Sequence, residues 1–220
     1  MREKFANRVE AGRSLAEKLT AYRGLANAIV LGLPRGGVPV AYEVAARLGL
    51  PLDVFLVRKL GVPGYEELAM GAIASGNVLV LNDEVMRALP DSEATLEAVR
   101  ARENVELQRR EIRYRQDRPA PELKDRVVLL VDDGLATGAT MRAATAALRK
   151  QGAARIVVAV PVGAPETCEA LDSEADETIC AIRPASFQGV GQFYEDFSQT
   201  SDEEVQELLA KGRAGSAGDS

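Results

Sequence analysis

Two acids stand side by side where an apolar run ends. Val127-Val128-Leu129-Leu130-Val131 leads to Asp132-Asp133 and then to Gly134-Leu135-Ala136-Thr137-Gly138-Ala139-Thr140. A continuous β-branched and leucine run predicts a strand buried on both faces, so the acids fall where the backbone leaves a sheet. Met141, Ala144, Thr145 and Leu148 share one face of a predicted helix over 139–150, stopped by Gly152. Successive N–H groups in a Gly/Ala/Thr turn form a nest for an anion, and the helix start adds about half a positive charge. Thr137 and Thr140 add hydroxyl donors, and the small residues let the backbone approach a phosphate. Carboxylates at Asp132 and Asp133 are acceptors suited to neighbouring sugar hydroxyls. Their charge would also stabilise a cationic sugar transition state. A phosphate on one side and a diol on the other describe a ribose 5-phosphate.

Missing chemistry narrows the field. The chain has no histidine, which removes Ser-His-Asp and Cys-His pairs and histidine-based zinc sites. Acid–base work is left to carboxylates, Lys, Tyr or the substrate. No Gly-x-x-x-x-Gly-Lys-Ser/Thr occurs, so the strand-then-Asp pattern is not that of a P-loop nucleotidase. A glycosidase pair is disfavoured, because adjacent strand residues face opposite ways instead of flanking one bond at about 5–9 Å.

The elements that position these residues alternate. The patterns predict a helix over 4–20, a strand over 28–33 ending at Pro34-Arg35-Gly36-Gly37, and a helix over 38–48 stopped by Gly49. A strand over 52–57 follows, then Arg58-Lys59 and a loop with Gly61, Pro63 and Gly64. A hairpin of 68–75 and 78–81 turns at Gly76-Asn77. A long charged helix spans 92–115, read as solvated or intersubunit. Strands over 156–160 and 178–182 flank a short helix over 166–171, and a last helix over 202–210 is capped by Ser201. The pattern predicts an α/β fold: a mainly parallel twisted sheet flanked by helices on both faces, with a small β-hairpin and a long charged helix. Residues 1–210 form one domain and 211–220 a flexible tail. Ligands in such sheets sit at the carboxyl ends of the strands, where the three unusual loops, 34–37, 58–64 and 132–140, fall.

The apolar strand, Asp132-Asp133 and the Thr-Gly-x-Thr turn at a helix start resemble the phosphoribosyl pyrophosphate signature of type I phosphoribosyltransferases, especially the adenine type with its Ala-Thr-Gly core. The resemblance covers residues 25–185 in order. It implies magnesium-dependent transfer of 5-phosphoribosyl from phosphoribosyl pyrophosphate to a nitrogen acceptor, a nucleobase, with release of pyrophosphate. Asp132 and Asp133 would hold the diol as catalytic groups, and Gly134, Leu135, Ala136, Thr137, Gly138, Ala139 and Thr140 the 5′-phosphate. Arg35, Gly36, Gly37, Arg58 and Lys59 would hold the leaving diphosphate. Mg²⁺ would bridge substrate oxygens with few direct protein ligands. A cis peptide at Pro34–Arg35 and a homodimer are implied as well. Residues 60–71 align with the family's mobile loop, where Glu66 or Glu67 would move a proton. Arg109 or Arg113 would reach a partner's diphosphate, and the aromatic stretch 187–197 is placed either as a nucleobase hood or as core. Ala136 stands where hypoxanthine-guanine enzymes carry an Asp, which argues against a 6-oxopurine acceptor. A non-catalytic sensor of the same ligand, and a hydrolase or phosphorylase acting on a ribosyl phosphate, fit the same pocket.

Composition agrees with that frame. In 220 residues, Lys+Arg number 27 and Asp+Glu 33, a formal charge of −6, which opposes general nucleic-acid or anionic-membrane binding. No apolar run approaches the ~18–20 residues of a membrane span, and residues 1–5 carry no apolar signal core. Cys168 and Cys180 read as reduced thiols of a cytoplasmic protein.

Overall fold

The computed structural model describes residues 4–116 and 118–216. In chain order the elements are α1 (Arg8–Lys18), β1 (Ala28–Gly32), α2 (Gly37–Leu48), β2 (Leu52–Val54), β3 (Val57–Val62), β4 (Tyr65–Ala74), β5 (Val78–Leu81), α3 (Asp83–Ala88), α4 (Ser92–Arg115), β6 (Val127–Val131), α5 (Ala139–Lys150), β7 (Arg155–Val162), α6 (Pro165–Leu171), β8 (Glu177–Ile182) and α7 (Asp202–Ser216). Single 3-10 turns lie at Thr20–Tyr22 and Val190–Phe193.

The main sheet is parallel throughout, in the order β2-β1-β6-β7-β8. Every residue of β1 and β6 is buried because helices cover both faces. Alternation along the strands feeds two cores. Ala28, Val30, Leu129 and Val131 join one with α2 and α7; Ile29, Leu31, Val128 and Leu130 join the other with α5 and α6. From β1 the chain moves outward to β2, then returns to the other side of β1 as β6, which pairs Gly32 with Val131. The carboxyl ends of β1 and β6 are therefore adjacent at the point where strand order reverses, the crevice such sheets use for ligands.

The predicted strand over 52–57 and loop over 58–64 are replaced by different structure. The chain leaves the main sheet after Val54, and β3 pairs antiparallel with β4, itself paired with β5, in a separate three-stranded sheet. The Gly/Pro cluster marks a tight turn, with Gly64 at φ +81°, and a bulge at Gly61, where a Cβ would lie 2.7 Å from the Glu66 carbonyl. α3 is absent from the sequence pattern, although Asn82 caps it by accepting from Val85 N at 3.3 Å. α7 continues past 210 to Ser216; residues 217–220 of the expected tail and 1–3 of the start lie outside the described residues. The cysteines are a correction: Cys168 and Cys180 are joined in a disulfide, not held as free thiols. α6 and β8 pack side by side there, and the side chain absent from Gly163 leaves the sulfurs their room. No helix among the described residues is long and apolar enough to cross a membrane.

Candidate functional site

β6 carries Asp132 and Asp133 out of the sheet, and the backbone turns at once. Asp133 N donates to Asp132 Oδ1 at 2.8 Å, so the two carboxylates converge on one turn rather than facing opposite ways as they would along a strand. The turn after β1 presses against them. A Cβ on Gly36 would overlap Asp133 Oδ2, and one on Gly37 would come within 2.8 Å of Asp132 Cα and 2.9 Å of Asp132 Oδ1. Both glycines serve close approach. The Pro34–Arg35 peptide is cis. Burial pushes the Asp132 carboxyl well above the usual range, and the neighbouring Asp133 charge adds to it. Asp133 is also raised by burial, against the opposing pull of Arg8. Carboxylates held in so buried a place are suited to accept hydrogen bonds from hydroxyls or to face a cation.

The loop that follows is pinned from beneath and open above. Leu135 N donates to Val162 O and Ala164 N to Leu135 O, each at 2.9 Å, tying the loop to the end of β7. Thr167 Oγ1 donates to Ala136 O at 2.7 Å. Gly138 takes φ +75°, a conformation that places the N-terminus of α5 against the loop. Among the described residues, the backbone N–H groups of 136–140 make no hydrogen bond, while Ala136, Thr137, Ala139 and Thr140 are exposed. Several free donors at the start of a twelve-residue helix match what a phosphate monoester needs.

Two partners of the acids escape a reading of the sequence. Arg8 Nε and Nη2 reach Asp133 Oδ2 at 2.9 and 2.8 Å, and Nη1 donates to Ser198 O at 2.7 Å. Its guanidinium lies over the Phe197 ring, 4.1 Å from the centroid. Tyr194 donates its hydroxyl to Asp133 O at 2.6 Å, and burial raises its pKa. Local structure delivers both. Asn7 caps α1 and makes Arg8 its first residue, while Phe5 N donates to Phe193 O and Glu195 N to Phe5 O, each at 2.8 Å. No local pattern marks a contact spanning 125 residues of chain; the one available signal is an Arg directly after a capping Asn.

The expected diphosphate residues divide. Lys59 lines a cavity of about 560 Å³ together with Thr137, Ala139 and Thr140, so it shares space with the phosphate loop. Arg58 faces the other way along β3, and Glu103 of α4 holds it at 2.5 and 2.9 Å. Arg35 lies within electrostatic reach of Tyr114 and Asp202, beside α4 and α7. Arg113 is tied to Asp202 at 2.8 Å and Glu203 at 2.7 Å, and Arg109 to Glu106 at 2.8 Å. Glu66 Oε1 accepts from Gly64 N at 3.3 Å in the β3–β4 turn; the Glu67 side chain lies outside the described residues. The aromatic stretch divides between core and surface. Phe193 is core with Phe5 and Val162, stacked on Phe187 at 5.8 Å, whereas Phe197 is 38% exposed beside Arg8. Val190 covers Gly134, where a Cβ would overlap it.

A family model described as the phosphoribosyl transferase domain matches residues 3–198. Two Mycobacterium tuberculosis proteins, from strains CDC 1551 / Oshkosh and ATCC 25618 / H37Rv and each named "Putative phosphoribosyl transferase", are 49% identical over 205 residues, covering 93% of this chain and 46% of theirs. The chain thus spans about half the length of the curated relatives it matches. The crystal structure of TT1426 from Thermus thermophilus superposes with a TM-score of 0.85 at 47% identity, over 94% of this chain and 98% of that one.

Proposed function

The chain belongs to the phosphoribosyl transferase domain family, and from that premise we propose that it transfers a 5-phosphoribosyl group from phosphoribosyl pyrophosphate to a nitrogen acceptor. The observation that carries the reading is the adjacency, at one end of the sheet, of converging acids, a glycine turn pressed on them, and a loop of unbonded N–H donors. Residues 134–140 take the 5′-phosphate. Asp132 and Asp133 accept from the ribose hydroxyls and stabilise positive charge growing at C1 as its bond to the diphosphate breaks. The bonding electrons leave with pyrophosphate, the acceptor nitrogen forms the new C1 bond, and that nitrogen sheds its proton. The turn 35–37 and Lys59 hold the leaving group, and Arg58 joins them once Glu103 releases it. Phe197 offers a flat face to a nucleobase, and Ala136 gives no carboxylate to a 6-oxopurine.

Magnesium fits this arrangement as an ion carried by the substrate. Among the described residues no group of three or more His, Cys, Asp or Glu side chains could hold a metal, whereas the paired acids supply negative charge beside the hydroxyls that would bind it. When bound, the ion neutralises charge on the leaving diphosphate. Asp132 and Asp133 would orient the ribose hydroxyls and lend their negative charge to the ion's neighbourhood.

Titration calorimetry with phosphoribosyl pyrophosphate, with and without Mg²⁺, and pyrophosphate release against a panel of bases test the proposal. Base-dependent release supports it. Tight binding without turnover on any base would instead assign the chain as a sensor, and base-independent turnover as a hydrolase or phosphorylase.

A further inference from the structure

Arg8 stands where a helix disfavours a cation. It is the first residue of α1, and the partial positive charge at a helix N-terminus repels it. Tertiary partners offset that repulsion. Nε and Nη2 both reach Asp133 Oδ2, Nη1 donates to Ser198 O, and the guanidinium lies over Phe197. Held on three sides and nearly buried, Arg8 is a fixed part of the site's wall. The backbone that carries it is tied as firmly. Residues 4–8 run beside 193–198, and Asp196 N donates to Ala6 O at 3.0 Å, next to the bonds that join Phe5 to Phe193 and Glu195. This clasp delivers two side chains to one residue: Arg8 takes the Asp133 carboxylate and Tyr194 the Asp133 carbonyl.

The grip is confined to one oxygen. Oδ2 receives both Arg8 nitrogens and is walled by Gly36, where a Cβ would overlap it and lie 3.3 Å from Arg8 Nε. Among the described residues, no nitrogen outside the acid pair is hydrogen-bonded to Asp133 Oδ1. A carboxylate accepts through both oxygens, so with Oδ2 enclosed, Oδ1 is the one left for a ligand. We propose that Arg8 is a positioning residue: it locks the Asp133 carboxylate with Oδ1 presented to a ribose hydroxyl, and so makes the site select a sugar that bears its diol. An acceptor fixed before the ligand arrives loses less freedom on binding, and the ligand hydroxyl gains the difference. The inference rests on the reading of Asp133 as a hydroxyl acceptor and adds what holds it in place. The seating of Arg8 opposes the reverse role, a stopper that swings out for the diol. Leaving would give up the Ser198 bond and the Phe197 face together with the carboxylate.

Titration calorimetry on the full chain tests it with two probes: ribose 5-phosphate, and tetrahydrofurfuryl phosphate, the same ring and phosphate without hydroxyls. The wild type is expected to prefer the sugar by roughly tenfold or more, the worth of a hydrogen bond to a charged group. Arg8→Met is expected to weaken ribose 5-phosphate by roughly tenfold and to leave the diol-free phosphate within about twofold, so that the preference disappears. Arg8→Lys keeps the charge without the two-nitrogen grip, and is expected to recover part of the preference. Should the methionine variant not fold, the lysine variant carries the test, and a preference equal to the wild type's overturns the proposal. Equal losses on both probes would make Arg8 a structural residue only. That result, an unchanged preference, or tighter ribose 5-phosphate binding by Arg8→Met would each overturn the proposal and leave the diol reading standing. A wild type that binds both probes alike removes the diol reading itself, and this inference with it.

Discussion

Arg8→Met removes a guanidinium from the Asp133 carboxylate and leaves an apolar stem of similar reach. Both side chains are nearly buried, at 12% and 15% exposure, with two N–O contacts of 2.8 and 2.9 Å. Stripping one partner from a buried pair costs about 3–5 kcal/mol, because the other charge is left without compensation. Residual exposure, and the option of protonating Asp133, place this site at the low end, about 3 kcal/mol. At roughly 2–4 °C per kcal/mol for a domain of this size, the melting temperature should fall by about 6–12 °C. The loss carries a pH signature. Asp133 already titrates above its unfolded value through burial, with Arg8 opposing the rise; without Arg8 it climbs further. A group raised in the folded state contributes its stability below the unfolded pKa and loses it as pH rises through the folded one. The deficit should therefore be small near pH 4 and grow toward neutrality. Thermal unfolding across that range is the assay, with Arg8→Met/Asp133→Asn as the control: once the carboxylate is neutral, most of the loss should return. A fall of less than about 2 °C at neutral pH, or a double variant no more stable than the sum of the singles, refutes the reasoning.

Three further outcomes are expected. Asp133→Asn should cut pyrophosphate release at least tenfold, about 1.4 kcal/mol of transition-state stabilisation, with circular dichroism unchanged. Asp132→Asn should raise the ligand-free melting temperature at neutral pH, since burial and the Asp133 charge make ionised Asp132 unfavourable in the folded state. The wild type should accordingly lose stability as pH rises above the unfolded carboxylate pKa and through the raised one, a trend the variant should flatten in differential scanning fluorimetry. Glu103→Gln should free Arg58 for the diphosphate and lower the calorimetric Kd for phosphoribosyl pyrophosphate by roughly fivefold, corresponding to about 1 kcal/mol; an unchanged Kd would leave Arg58 outside the site.

Much of the core was legible because its signals are local. The runs at 28–33 and 127–131 could be nothing but strands with two covered faces, and each ended in residues whose types announce a ligand: two acids, four glycines and two threonines within turns. The helices over 38–48 and 139–150 were framed by their own stop signals, Gly49 and Gly152, both with positive φ in the fold. Period, turn chemistry and caps are written within a few residues of the structure they dictate. The reading failed at 52–64, where a run that looked like one strand is shared between two sheets. β propensity says that a segment is extended but not which neighbour it will pair with.

Charge partners were the other thing left to the tertiary structure. Sequence pattern could mark Arg58 as a candidate for the diphosphate but not that α4 brings Glu103 against it, and it gave no sign that the bridge between Phe5 and Tyr194 carries Arg8 to Asp133. An arginine has no period and no preferred neighbour in sequence; what it pairs with depends on which distant backbone passes within its reach. The same holds for Cys168 and Cys180, whose bonding was settled by the packing of α6 on β8. The chain alone predicted a parallel sheet with paired acids and a Gly/Thr turn at its carboxyl end, read as a phosphate-and-diol cradle. Only the folded molecule decided which cations stand guard over it, because those contacts arise from long-range packing that no local window contains.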